Sequence, residues 1–225
     1  IDKVMSRLSI NTSVDLRYYY SSKTLYSIDF FKKYFEYIKP IFLSATGKIK
    51  KALIFDCDNT LWKGVLGEDG FDKIKMFEEV QYLALDLAKN GVILGLCSKN
   101  NASDIDDVLF NHPDMILRDD SIVIKKVNWN NKVLNLRSIA KDLNIGLDSL
   151  VFIDDSSFET DLIKKKLPTV ETFQVPSKEH EYGLMIRMVS NLFYNPSQTK
   201  EDTQKTHIYK KQLQRSKEKE SVGDI

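Results

Sequence analysis

Two hydrophobic periods alternate along this chain, and the switches between them mark its elements. Short apolar runs end repeatedly on a polar residue: Ala52-Leu53-Ile54-Phe55 on Asp56, the run from Val92 on Ser98, and Leu150-Val151-Phe152-Ile153 on Asp154. Runs of this length with β-branched and aromatic residues predict buried strands. Strands are expected at Ala52–Asp56, Val92–Ser98, Met115–Leu117, Leu150–Asp154 and Thr169–Phe173. Between them the apolar spacing becomes helical, over Phe77–Asn90 (closed by Gly91), Ala102–Phe110, Asn131–Asn144 and Phe158–Leu167, which stops before Pro168. Strand and helix in alternation predict an α/β fold with a doubly wound parallel sheet. Ligands of such sheets sit beyond the carboxyl ends of the strands, where Asp56, Ser98 and Asp154 all emerge.

The flanks read differently. Ser27 is placed to cap a helix from Ile28 to about Lys39, ended by Pro40, with Phe30, Phe31, Tyr34, Phe35 and Ile38 on one face. That stripe is either a docking face or core packing. Gly64, Gly67 and Gly70 make Trp62–Phe71 a loop or small hairpin. Beyond Phe173, Glu179–Phe193 and the charged Thr199–Ser221 read as helices, the latter with Ile208, Tyr209 and Leu213 on one side. The expected organisation is a helical lead-in over residues 1–47, an α/β core over 48–176 and a helical extension over 177–225.

Composition narrows the classes. The 225 residues are 42% hydrophobic with a formal net charge of +1, so bulk charge points to neither nucleic acid nor an anionic membrane. No apolar stretch approaches the ~20 residues of a membrane span, and the first fifteen positions are too polar for a signal peptide. Two cysteines, Cys57 and Cys97, each in an apolar run, read as reduced thiols of a cytoplasmic protein. A chain that begins at Ile1 reads as a piece of a longer protein.

The chemistry concentrates at the strand ends. Asp56-Cys57-Asp58-Asn59-Thr60 places two carboxylates at the end of a buried strand, which is costly unless a cation lies between them. Mg2+, a hard ion that takes oxygen ligands and keeps water or phosphate partners, fits that need. An EF-hand would require Gly and Glu where Leu61 and Gly67 stand, and no P-loop sequence is present. Ser98 then supplies a hydroxyl, Lys132 an ammonium after Asn128-Trp129-Asn130-Asn131, and Asp154-Asp155 a second acidic pair with Glu159 one turn on.

In this order the set resembles the haloacid dehalogenase (HAD) superfamily of phosphohydrolases, whereas response-regulator receivers order similar residues differently. Asp58-Asn59-Thr60-Leu61-Trp62, Gly64-Val65-Leu66-Gly67-Glu68-Asp69-Gly70, Leu96-Cys97-Ser98-Lys99-Asn100-Asn101, His112-Pro113-Asp114-Met115 and Asn128-Trp129-x-x-Lys132-x-x-Asn135-Leu136 resemble its FkbH-like branch, subfamily IIIC, over roughly Asp15 to Arg215. Cys57 departs from the apolar residue common at its position. The resemblance implies a three-layer α/β/α Rossmann-like HAD fold and an excised catalytic module lacking an acetyltransferase-like partner domain. The core elements leave room only for a short flap after Thr60 and none for a cap between Asn101 and Leu150, so a capless site is expected.

It also implies roles. Asp56 would be the nucleophile that forms an aspartyl-phosphate, and Asp58 the acid and base. Asp56, the Asp58 carbonyl, Asp154 and Asp155 would hold Mg2+. Ser98 and Lys132 would hold the phosphoryl oxygens, with Thr60, Lys99 and Asn100 in substrate binding. Characterised members of the branch take 1,3-bisphosphoglycerate, a phosphorylated three-carbon substrate, and pass glyceryl to an acyl carrier protein through a protein thiol. Cys97 is the candidate thiol, unless strand alternation buries it opposite Ser98. The other expectation is a capless phosphatase acting on a sugar phosphate or another small phosphomonoester. Lys125 and Lys126 are either a basic rim for a carrier arm or ordinary edge-strand lysines.

Overall fold

The computed structural model describes residues 1–6, 8–195 and 204–223. The chain forms two units, Ile1–Ile49 with the stretch starting at Tyr194, and Lys50–Phe193 with the carboxyl-terminal stretch. The first contains helices α1 (Asp2–Met5), α2 (Ile10–Ser13), α3 (Leu16–Ser22) and α4 (Ile28–Ala45). Ser27 caps α4 by accepting from the Phe30 N–H at 3.1 Å. The helix runs through Pro40 instead of ending there. A proline costs an interior helix one hydrogen bond and favours a bend, and a helix of 18 residues carries that loss. Of the aromatic stripe, Phe30 is buried and stacks on Tyr26, while Phe31, Tyr34 and Phe35 are exposed.

The second unit runs β1 (Ala52–Phe55), β2 (Trp62–Lys63), α5 (Leu66–Asp69), β3 (Lys75–Met76), α6 (Glu78–Lys89), β4 (Ile93–Ser98), α7 (Ala102–Asn111), β5 (Ile124–Val127), α8 (Lys132–Asp142), β6 (Leu150–Asp154), α9 (Ser157–Lys166), β7 (Glu171–Gln174), α10 (Glu179–Ser190) and α11 (Lys205–Gly223). The five long strands form a parallel sheet ordered β5-β4-β1-β6-β7. Strand residues alternate between two cores. Leu53, Phe55, Leu94, Leu96, Val151 and Ile153 pack with α6, α7 and α10. Ala52, Ile54, Ile93, Cys97, Leu150 and Phe152 pack with α8 and α9, and Tyr209 and Leu213 of α11 lie against that second core. Both faces are thus covered, which is why β1, β4 and β6 read as continuous apolar runs. The result is a doubly wound, three-layer α/β/α fold. The strand order reverses at β1, so the crevice belongs at its carboxyl end, between β4 and β6.

One expected strand needs correction. Met115–Leu117 is not a strand. The N–H groups of Ile116 and Leu117 donate to the buried Gln81 Oε1 at 2.9 and 3.0 Å, so a side chain takes the place of a strand partner. The edge strand is Ile124–Val127, which breaks the apolar pattern with Lys125 and Lys126 and bears out the edge-strand reading of those two lysines. The glycine loop after β1 is a flap: β2 pairs antiparallel with β3, and α5, containing Gly67, lies between them. Among the described residues no other insertion separates β1 from α6, so the fold carries a flap and no cap domain. The expected helix over 199–221 is described from Lys205 onward; residues 199–203 lie outside the described residues. There Tyr209 is half-buried and Ile208 is exposed.

Candidate active site

The carboxyl ends of β1, β4 and β6, with the first turn of α8, deliver one cluster. The Asp56 N–H donates to the Ile153 carbonyl at 2.9 Å, extending the β1–β6 ladder by one residue and holding Asp56 beside Asp154. Lys132, the first residue of α8, is turned inward; its Nζ lies 2.7 Å from Asp154 Oδ2 and 3.0 Å from Asp56 Oδ1. Asn131 caps that helix by accepting from the Val133 N–H at 2.8 Å, which fixes where Lys132 begins. Asp154 Oδ1 accepts from the Ser156 N–H at 2.9 Å. Asp155 completes the group, and Asp56, Asp154 and Asp155 each offer a carboxylate oxygen within 4.8 Å of the others.

Burial sets the electrostatics. Asp56 is 6% exposed, and its carboxyl is pushed up to about 6 by burial and by Asp154, against the pull of Lys132 and Ser98. Burial works against the Lys132 ammonium, yet Asp56 and Asp154 outweigh it and hold the group above the usual lysine range. Asp155 is raised by burial and by Asp154. Three carboxylates, two of them buried, against one ammonium leave an excess of acidic groups at the end of the sheet. Asp56 Oδ1 accepts no well-directed hydrogen bond there, although it is ion-paired to Lys132. Three convergent carboxylate oxygens fit a hard divalent cation.

The remaining expected residues divide. Ser98 is buried in the same crevice, where its Oγ accepts from Asn100 Nδ2 at 3.2 Å. The same amide donates to Asp58 Oδ2 at 3.0 Å. Asp58 Oδ1 accepts from Trp62 Nε1 and the Leu66 N–H, both at 3.0 Å. The Asp58 carboxyl is therefore held by two donors from the flap and one from the β4 loop. Asn59 sits in the left-handed region at φ 51°, and its Oδ1 accepts from the Gly64 N–H at 2.9 Å, which closes the flap's base. Thr60 is fully buried; its carbonyl accepts from Tyr182 Oη of α10 at 2.8 Å, and its Oγ1 lacks a partner. Its position is that of a brace under the loop.

Cys97 does not open into the crevice; its Sγ donates to the Lys132 carbonyl at 4.0 Å. It lies on the opposite face of β4 from Ser98, 0% exposed in the second core, and burial pushes its thiol far up. Cys57 is likewise buried and its thiol raised. Lys99 points to Glu159, with Nζ to Oε1 at 2.6 Å. Lys125 pairs with Asp106 and Asp119, and Lys126 with Asp142, so neither is an uncompensated cation of a basic rim. The tie from Trp62 to Asp58 was not anticipated. Their spacing of four residues, one tight turn, was its only sequence signal.

No protein-family model and no curated protein matches the sequence. Solved structures do. The N-terminal part of a Bacteroides fragilis protein, containing a phosphatase domain and complexed with Mg, aligns with a TM-score of 0.77 and 32% identity, over 88% of this chain and 55% of that one. The chain thus spans about half the length of that structure. A 3-deoxy-D-manno-octulosonate 8-phosphate phosphatase from Moraxella catarrhalis, in complex with magnesium, phosphate and its sugar, aligns at TM-score 0.47 and 12% identity, over 66% of this chain and 91% of that one. A HAD family enzyme from Bacteroides thetaiotaomicron, in complex with magnesium and inorganic phosphate, aligns at 0.40 and 14%, over 57% and 95%. Of these three, the Bacteroides fragilis domain alone is similar enough in both fold and sequence to carry functional weight.

Proposed function

We propose that this chain is a Mg2+-dependent phosphohydrolase of the HAD type, working through an aspartyl-phosphate on Asp56. One observation carries the reading: a single buried ammonium, Lys132 Nζ, bridges Asp56 and Asp154 at 3.0 and 2.7 Å beside a third carboxylate. The likeness to a phosphatase domain complexed with Mg supports it. Asp56, Asp154 and Asp155 would hold the ion, which supplies charge neutralisation for an incoming phosphate. Asp56 attacks phosphorus and the bond to the leaving oxygen breaks. Asp58 gives that oxygen a proton and then takes one from the water that hydrolyses the acyl phosphate. Ser98 and Lys132 hold the phosphoryl oxygens. With its Nζ already fixed, Lys132 offers its charge without reorganising.

A narrower reading is dephosphorylation of 1,3-bisphosphoglycerate with transfer of glyceryl to an acyl carrier protein. It rests on the motif resemblance. The buried Cys97 does not support a relay through this chain's own thiol. In this reading the carrier's thiol displaces the acyl phosphate directly, and the remaining phosphate ester is the bond cleaved at Asp56.

The test is release of phosphate from p-nitrophenyl phosphate with and without Mg2+, for wild type and Asp56→Asn. Turnover that needs both the ion and Asp56 is expected; equal turnover by the variant would require another nucleophile. For the narrower reading, intact-mass measurement after incubation with 1,3-bisphosphoglycerate and carrier should show a glyceryl increment on the carrier in wild type and in Cys97→Ala alike. An unmodified carrier would end it.

A further inference from the structure

The loop that leads from β5 into Lys132 carries an indole in an unusual position. Trp129 is 70% exposed, whereas Trp62, the only other tryptophan, is 0% exposed. The exposed ring is held by a built loop. Its Nε1 donates to Asn101 Oδ1 at 3.2 Å, in the loop that follows Ser98. Asn128 Oδ1 accepts from the Asn130 N–H at 3.0 Å and from Asn135 Nδ2 at 3.0 Å, and Asn131 caps α8. The polar edge of the indole is thus satisfied while its apolar faces are left in water. In the first turn of α9, just past Asp154 and Asp155, Phe158 is also 70% exposed. The loop before Lys132 and the helix turn after Asp154 each present an exposed aromatic ring, next to a site that no cap among the described residues encloses. The neighbouring lysines of β5 are already neutralised. The rim therefore offers π and apolar surface rather than free positive charge.

We propose that Trp129 is a substrate-contacting, specificity-determining residue whose indole face holds a ring-bearing leaving group while its phosphate lies among Asp56, Ser98 and Lys132. This deepens the phosphohydrolase reading and rests on it. The substrate class is a phosphate ester of an aryl or other flat ring, which sets this inference against the three-carbon substrate of the narrower reading and leaves the phosphohydrolase reading as its basis. A ring stacked on an exposed indole gains contact area at little ordering cost, because the hydrogen-bonded loop has already fixed the platform.

The experiment compares p-nitrophenyl phosphate with glycerol 3-phosphate in wild type, Trp129→Phe and Trp129→Ala. Trp129→Ala should raise KM for the aryl ester about tenfold, with kcat changed less than about threefold. KM for glycerol 3-phosphate should not move, and Trp129→Phe should restore the aryl KM. A purely structural brace predicts something else: equal losses on both esters, and failure of Trp129→Phe, which lacks the N–H. That pattern would overturn the proposal. Acrylamide quenching of tryptophan emission gives a readout without turnover, since Trp62 is buried and Trp129 is the accessible fluorophore. Phenylphosphonate should protect the emission and methylphosphonate should not. Equal protection, or none, would overturn the ring preference. Absence of turnover of either ester by wild type, with selective protection retained, would count against the hydrolytic reading and leave the platform standing.

Discussion

Twice among the described residues one lysine sits between two aspartates. At the centre of the sheet Lys132 bridges Asp56 and Asp154; at its edge Lys125 bridges Asp106 and Asp119. In both places burial opposes the ammonium and the carboxylates raise it. The residue types are the same, but the surroundings differ. The Lys132 side chain is 5% exposed and a third carboxylate, Asp155, joins its group, whereas Lys125 is 29% exposed and its partners 45% and 27%. At the edge, water screens each charge and the set neutralises itself. At the centre each charge is costly, and the surplus of acid calls for a further cation. Burial, more than composition, separates a site from a surface ion pair.

The comparison breaks most sharply on chemistry. Asp56→Asn should lower phosphate release by at least about 10^4-fold, while Asp106→Asn stays within about twofold, read by steady-state kinetics. Next is stability in metal-free protein. Lys132→Ala leaves two buried carboxylates without their cation and should cost about 3–5 kcal/mol by urea denaturation. Lys125→Ala should cost about 0–1 kcal/mol, as partly exposed pairs do. Third is metal linkage. Mg2+ at about 100 times its Kd should stabilise wild type and Asp119→Asn by about 2.7 kcal/mol, seen as a rise in Tm. Asp154→Asn should show no such rise, and an undiminished one would move the ion elsewhere. The smallest effect is on screening. Going from about 0.1 to 1 M NaCl should shrink the Lys125→Ala difference and leave the Lys132→Ala difference unchanged, because salt screens exposed pairs far more than buried ones.

The elements that bury both faces were readable one by one. β1, β4 and β6 announce themselves as apolar runs, and the helices between them by their spacing. The departures from expectation have separate physical causes. Met115–Leu117 looks like a strand, but Gln81 of α6 satisfies its N–H groups. Ile124–Val127 shows no apolar run, and the edge-strand reading of Lys125 and Lys126 was its only sign. Pro40 looks like a stop and is carried inside a long helix.

Within the site, the identity of Asp56, Asp58, Ser98, Lys132, Asp154 and Asp155 was legible from their place at the ends of elements. Period-two alternation also left only two options for Cys97. By itself, then, the sequence determined the sheet-forming runs, their order with the helices, and which acidic, hydroxyl and ammonium groups stand at the strand ends. Those are local properties, encoded in periodicity and chain position. Tertiary structure alone decided that Lys132 turns inward to bridge two aspartates while Lys125 stays at the edge, that Cys97 faces the core, and that Trp129 stands in water on a network of asparagines. Each depends on which face a neighbouring element covers, and so on how far water is kept away.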